Sequence, residues 1–243
     1  LNISRSKQGS PVLIQAGSSE AGRGFAAKVA DAIFMGQSTS SDAAEFYKDI
    51  KQRAEDVGRN PGEVLILPGC SPIVGDTQAE AEAKYQEIAN LVVIEDALNY
   101  LGRYFNDMDF SPYDLDAPFP DLGDFGRNGW ESTTDRIKQV AKEEELTLRQ
   151  MAIRATTPKH EFIGTPTQVA DTMQSWFENS AADGFMLVPS VLPQGFNDFV
   201  DHVLPILKER GLFRTEYEAD TLRGNLGLPK PENRYSKSTT TQR

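Results

Sequence analysis

The sequence predicts an α/β protein built on four parallel strands, the strand count of half a (β/α)8 barrel. Three observations carry this. Strand-like apolar runs alternate with helical stretches, the order that gives a parallel sheet covered by helices. Only four such runs occur in 243 residues, whereas a whole barrel places eight strands in about 250 residues. The length left over falls in one stretch, residues 77–157, which has helical periodicity and no strand. Four parallel strands by themselves leave two unpaired edges.

Taken in order, polar residues 1–10 lead into a first strand over 11–16. It ends in Ala16, Gly17, Ser18 and Ser19. Small side chains let a ligand approach the backbone, and the amides opening the next helix attract anions. The loop therefore reads either as a phosphate grip or as an ordinary turn with Ser18 or Ser19 as N-cap. A helix follows near 20–30, then a second strand, Ala32-Ile33-Phe34-Met35. Capping residues fill 37–41 before a helix near 42–57, whose Ala43, Tyr47, Ile50, Ala54 and Val57 share a face and whose C-cap is Gly58. Val64-Leu65-Ile66-Leu67 is the third strand, closed by Pro68-Gly69. Thr77 with Glu80 forms a capping box on a long helix running to about Leu101.

Residues 103–132 change character. Pro112, Pro118, Pro120, Gly123, Gly126 and Gly129 punctuate an aromatic stretch containing Tyr104, Phe105, Phe110, Tyr113, Phe119, Phe125 and Trp130. Disordered segments are aromatic-poor, so a long loop of this composition reads as an ordered lid. Two helices follow near 133–145 and 148–156, the second with a Thr147/Gln150 capping box. Thr165-Pro166-Thr167-Gln168 opens another, with Val169, Met173, Trp176 and Phe177 as its buried face. Gly184–Pro189 is the fourth strand, and a last helix near 195–210 closes at Gly211. The tail, 229–243, is expected to fray, leaving one partial barrel domain over 1–228.

Composition narrows the function. The chain is 39% apolar and 25% charged, a globular balance. A net charge of −11 disfavours nucleic acid and anionic membrane, both polyanions. The one cysteine, Cys70, excludes an internal disulfide framework and fits a cytoplasmic, reducing setting. No apolar run approaches the roughly 18 residues that span a bilayer. The chain opens on Leu1 and enters a strand at Pro11, so further sequence is expected upstream.

Several motifs are incomplete. Gly17-x-x-x-x-Gly22 continues with Arg23-Gly24, where a P-loop needs Lys and Ser or Thr. Gly22-x-Gly24-x-x-Ala27 has the form of a dinucleotide fingerprint but starts well after the strand ends. Residues 142–152 have a helix-turn-helix rhythm, yet Glu143-Glu144-Glu145 would repel phosphates; packing helices are the better reading. His160 and His202 have no neighbours at metal-ligand spacing, so no metal site is expected, although His160 could border a pocket. Cys70 has no basic neighbour to activate it.

Pro11–Ser19 followed by Ala30-Asp31-Ala32-Ile33-Phe34 resembles the flavin-dependent monooxygenases of the bacterial luciferase-like superfamily. The resemblance is to the branch of nitrilotriacetate monooxygenase component A and the dibenzothiophene-sulfone monooxygenases. Tyr113-Asp114-Leu115-Asp116, Gly164-Thr165-Pro166, Gly184-Phe185-Met186, Gly211-Leu212-Phe213-Arg214 and Thr221-Leu222-Arg223 extend it along the chain. It implies the C-terminal half of a TIM barrel, strands five to eight, with a helical lid insertion. It also implies reduced FMN (FMNH2) from a separate flavin reductase, O2 and a small organic substrate as partners. Ala16, Gly17, Ser18 and Ser19 then contact the FMN phosphate. Tyr104, Phe105, Phe119 and Phe125, with His160, become candidate pocket walls. No catalytic residue is assigned, because the family's first four strands are missing. Activity is expected to need that N-terminal half, or a homo-oligomer in its place. A non-enzymatic assembly or binding module and a dinucleotide-binding protein are the alternatives.

Overall fold

The computed structural model describes residues 3–36, 39–123, 125 and 127–233, without the side chains of 127–132. Gly126, Trp130 as a side chain, and most of the expected tail lie outside the described residues.

The elements run β1 (Ile14–Ala16), α1 (Glu20–Val29), β2 (Ala32–Met35), α2 (Ser40–Asp56), β3 (Leu65–Cys70), β4 (Ile73–Val74), α3 (Gln78–Asn90) and α4 (Ile94–Tyr104). They continue α5 (Arg127–Glu143), α6 (Leu148–Thr156), β5 (Ile163–Gly164), α7 (Pro166–Glu178), β6 (Met186–Leu187), α8 (Gln194–Asp198), a π turn, α9 (Leu204–Glu209) and α10 (Leu222–Asn225). The main sheet has the order β1-β2-β3-β6, with every pair parallel.

That order is monotonic. Right-handed crossovers that always step the same way place every helix on the same face. The core shows this: Ile33, Met35, Ile66 and Cys70 of the strands pack with Ala26, Phe46, Ile50, Val169, Trp176, Val203 and Leu207 of the helices. Side chains alternate across a strand, so Ile14, Ala16, Phe34, Leu65, Leu67 and Gly69 lie on the opposite face. On that face Ile14 and Ala16 are exposed and Phe34, Leu65 and Leu67 half-buried, while Ala32 is fully buried. A Cβ at Gly69 would stand 3.2 Å from the Phe34 ring, a tight contact. The third strand consequently runs through Pro68-Gly69 rather than closing at it; proline's fixed φ lies in the extended region.

Other expectations are corrected. The helix expected over 77–101 is two helices, α3 and α4, broken at 91–93. The β-branched pair Val92-Val93 weakens the helix there, and the turn sends Val92, Ile94, Leu98 and Leu101 into a second core with Phe105, Phe110, Ile137, Leu148 and Met151. The 77–157 insertion therefore has its own hydrophobic centre. The cap at Thr77 is present, but the Glu80 carboxylate accepts from the amide of Asp76 instead of closing a box. The boxes at Thr147 and Thr165 are complete. Phe177 is half exposed because it follows the buried Trp176 and points about 100° away. The fourth strand shrinks to Met186–Leu187, and β4 and β5, two residues each, form a parallel ladder at the insertion's entry and exit.

The C-terminal segment is fastened to the start of the sheet. Arg223, 4% exposed, donates to both oxygens of Asp31 and to the carbonyl of Pro11. Asp31 also accepts from the amide of Leu13. Removing one member of such a buried pair strands the other charge at about 3 kcal/mol. Arg223→Met is thus expected to lower the unfolding free energy by about 3 kcal/mol in urea titration, and adding Asp31→Asn should cost less than the sum of the two changes.

Candidate functional site

A cleft of about 1130 Å³ opens at the C-terminal ends of β1 and β2, between the Ser18 loop, α2, α5, α6 and residues 158–161. Loops at this end of parallel strands carry the sites of barrel enzymes.

The β1–α1 loop is built for close approach. Ser19 caps α1, its hydroxyl accepting from the amide of Gly22. The first helical hydrogen bond runs from Arg23 to Ser19, which leaves the amides of Glu20 and Ala21 outside the helix's own ladder. Gly17 sits against the Gln15 side chain, where a Cβ would meet Nε2 at 2.8 Å. The hydroxyl of Ser18 is exposed and engages no partner among the described residues. Arg23 braces the loop, donating to the Ser18 carbonyl at 2.7 Å and to Asp49 at 3.1 Å, with its guanidinium over the Phe46 ring. The two readings of the loop are therefore divided between its serines: Ser19 is the cap, and Ser18 is left free.

The opposite wall comes from the insertion. Arg136 reaches Asp42 of α2, and Glu161 accepts from the Trp176 indole and from the amide of Ser40. Each cation lining the cleft is paired: Arg23 with Asp49, Arg136 with Asp42, Arg154 with Glu144 and Lys159 with Glu82. Tyr104 lines the cleft and bonds the Tyr100 hydroxyl; burial and that neighbour push it up to about 12. His160 also lines it, and its buried Nδ1 has no partner.

The expected pocket walls are thus split. Tyr104 and His160 reach the cleft. Phe105 is fully buried and stacks edge-on with Phe110, so it is core, not wall. Phe119 packs on the same core, and Phe125 is exposed outside the cleft. Asp116 holds Arg149 of α6 with two hydrogen bonds, which explains the Tyr-Asp-Leu-Asp stretch as a loop anchor. Gly22 and Gly24 lie inside α1, past the turn a dinucleotide fingerprint requires. Cys70 is buried on the helix-covered face, and burial pushes its thiol pKa upward. Arg23, Asp42 and Arg136 escaped sequence reading. Only Arg23 left a signal there, as the wrong residue for a P-loop.

Burial, then the charge of Arg154, holds the His160 pKa below the ordinary histidine value. The unfolded chain takes that proton near pH 6.5 and the folded chain only at lower pH, so stability falls as pH drops through about 6.5. His160→Gln is expected to remove that part of the acid sensitivity, read as the difference in melting temperature between neutral and mildly acidic buffer.

A family model described as luciferase-like monooxygenase matches residues 2–184. The chain is 44% identical over 239 residues to N-acetyl-S-(2-succino)cysteine monooxygenase of Bacillus subtilis (strain 168), covering 98% of this chain and 54% of that protein. It is 42% identical over 240 residues to nitrilotriacetate monooxygenase component A of Aminobacter aminovorans, covering 98% and 52%. The crystal structure of DmoA from Hyphomicrobium sulfonivorans superposes with a TM-score of 0.78 at 30% identity, covering 93% of this chain and 47% of that one. The chain spans about half the length of the curated relatives it matches.

Proposed function

The chain belongs to the luciferase-like monooxygenase family, and on that premise we propose that it is the cofactor-phosphate half of an FMN-dependent, two-component monooxygenase. The observation that carries this is the β1–α1 loop. The Ser18 hydroxyl lines a large cleft at the C-terminal end of a parallel sheet, and Gly17 and two helix amides outside the helix's own ladder lie beside it in the same loop. These groups fit a phosphate: Ser18 donates, the amides of Glu20 and Ala21 meet the anion, and Gly17 gives room. Glu20 is an adverse charge within the loop, and Arg53 pairs with it at 2.8 Å; Glu45 and Asp135 add further carboxylates to the cleft lining.

In this reading the sheet supplies strands five to eight, and 77–157 is the lid over the substrate. Reduced FMN, delivered by a separate flavin reductase, supplies the electrons for activating O2. This chain's residues bind and orient. Arg23 holds the loop in shape, and the Arg136–Asp42 pair keeps the insertion against α2. Tyr104 and His160 face the small organic substrate. The other four strands must come from elsewhere for turnover, and a cytoplasmic setting suits the reductase. A dinucleotide site finds no support, since the monotonic strand order lacks the reversal at which such cofactors bind.

Fluorescence titration should show FMN retained over riboflavin, which lacks the phosphate, and Ser18→Asp should weaken FMN at least tenfold. Equal retention of the two flavins would overturn the phosphate assignment. With a reductase and NADH, the chain alone should give no substrate-dependent oxygen uptake; robust uptake would refute its incompleteness.

A further inference from the structure

We propose that, when this chain stands alone, two copies close one eight-stranded barrel, with β1 of each copy pairing in parallel with β6 of the other. The inference rests on reading the sheet as half a barrel.

Both edges are open among the described residues. β1 pairs only with β2, and β6 only with β3. Their side chains are apolar and out in solvent: Leu13 and Ile14 are 52% and 55% exposed, Met186 and Val188 38% and 50%. Unpaired apolar edges are templates for another strand. Self-pairing, β1 against β1, would lengthen the sheet and leave the uncovered face of each copy in water. Pairing β1 with β6 at two identical seams rolls the sheets around that face instead. Ile14, Phe34, Leu65 and Leu67 of both copies then become interior, and every helix remains outside. A head-to-tail interface closes when the rotation permits it; here a twofold axis along the barrel suffices, because each copy brings four strands.

The observed registers allow a closure of the right shear. Gly69 pairs with Met186, and Ile14 aligns through Ala32 with Leu65. Setting Met186 opposite Ile14 of the second copy carries the register from Gly69 to Leu65, a step of four residues. Two copies step twice that, matching the shear of about eight that a parallel eight-stranded barrel needs. Charge opposes the union, since each copy carries −11. Screening should therefore tighten it.

Light scattering on the purified chain should give a dimer whose dissociation constant falls as salt rises. Ile14→Lys, at an exposed position, should shift it to monomer without unfolding it. Oxidised separately, the Ile14→Cys and Met186→Cys chains should not crosslink; mixed, they should form a disulfide between them, since paired strands lie about 4.8 Å apart. Crosslinking of Ile14→Cys with itself would overturn the arrangement in favour of sheet extension. A monomer with unprotected amides at residues 14–16 and 186–188 in hydrogen exchange would overturn the dimer and leave the half-barrel reading standing. A monomer with those amides protected would overturn both.

Discussion

A sheet whose parallel strands are added in chain order is covered by its own crossovers on one face only. The rest of the molecule follows from that constraint. The helices, and the core they share with Ile33, Ile66 and Cys70, lie on one side. The half-exposed apolar row of Ile14, Phe34 and Leu67 lies on the other. All strand ends that feed loops into the cleft point the same way, so the Ser18 loop and the Thr39 cap of α2 arrive side by side.

Local physics was legible in the sequence. Ala32–Met35 reads as a strand because it is a short apolar run flanked by breakers, and the Thr147 and Thr165 caps are complete because each is decided within four residues. What escaped is long-range. β4 and β5 are too short to show a period, and their pairing joins Ile73 to Ile163. The aromatic composition of 103–132 does not say which way a ring faces; Phe105 turned into the insertion's own core while Tyr104 reached the cleft. The Ser18 loop could be read as cap or phosphate grip; the geometry gives the cap to Ser19 and leaves the Ser18 hydroxyl without a partner among the described residues.

The cleft is lined by six carboxylates and four cations. Its four cations are each neutralised; Arg136–Asp42 ties the insertion to α2 across it, and Glu161 holds the amide of Ser40 beside that pair. A ligand entering here meets preformed pairs; attraction for an anion is concentrated at the α1 amides. His160 is the one cleft-lining residue, among those described, whose buried side-chain nitrogen lacks a partner.

The Arg223–Asp31 pair joins residues 192 positions apart. Closing so long a loop is slow relative to local pairing. On a ribosome, β1 and β2 emerge long before Arg223 does, so the first strand waits with its anchoring carboxylate unmatched. The sheet can begin to form early, but its leading edge is locked last, and the interval between is when a nascent chain is most open to pairing with a neighbour.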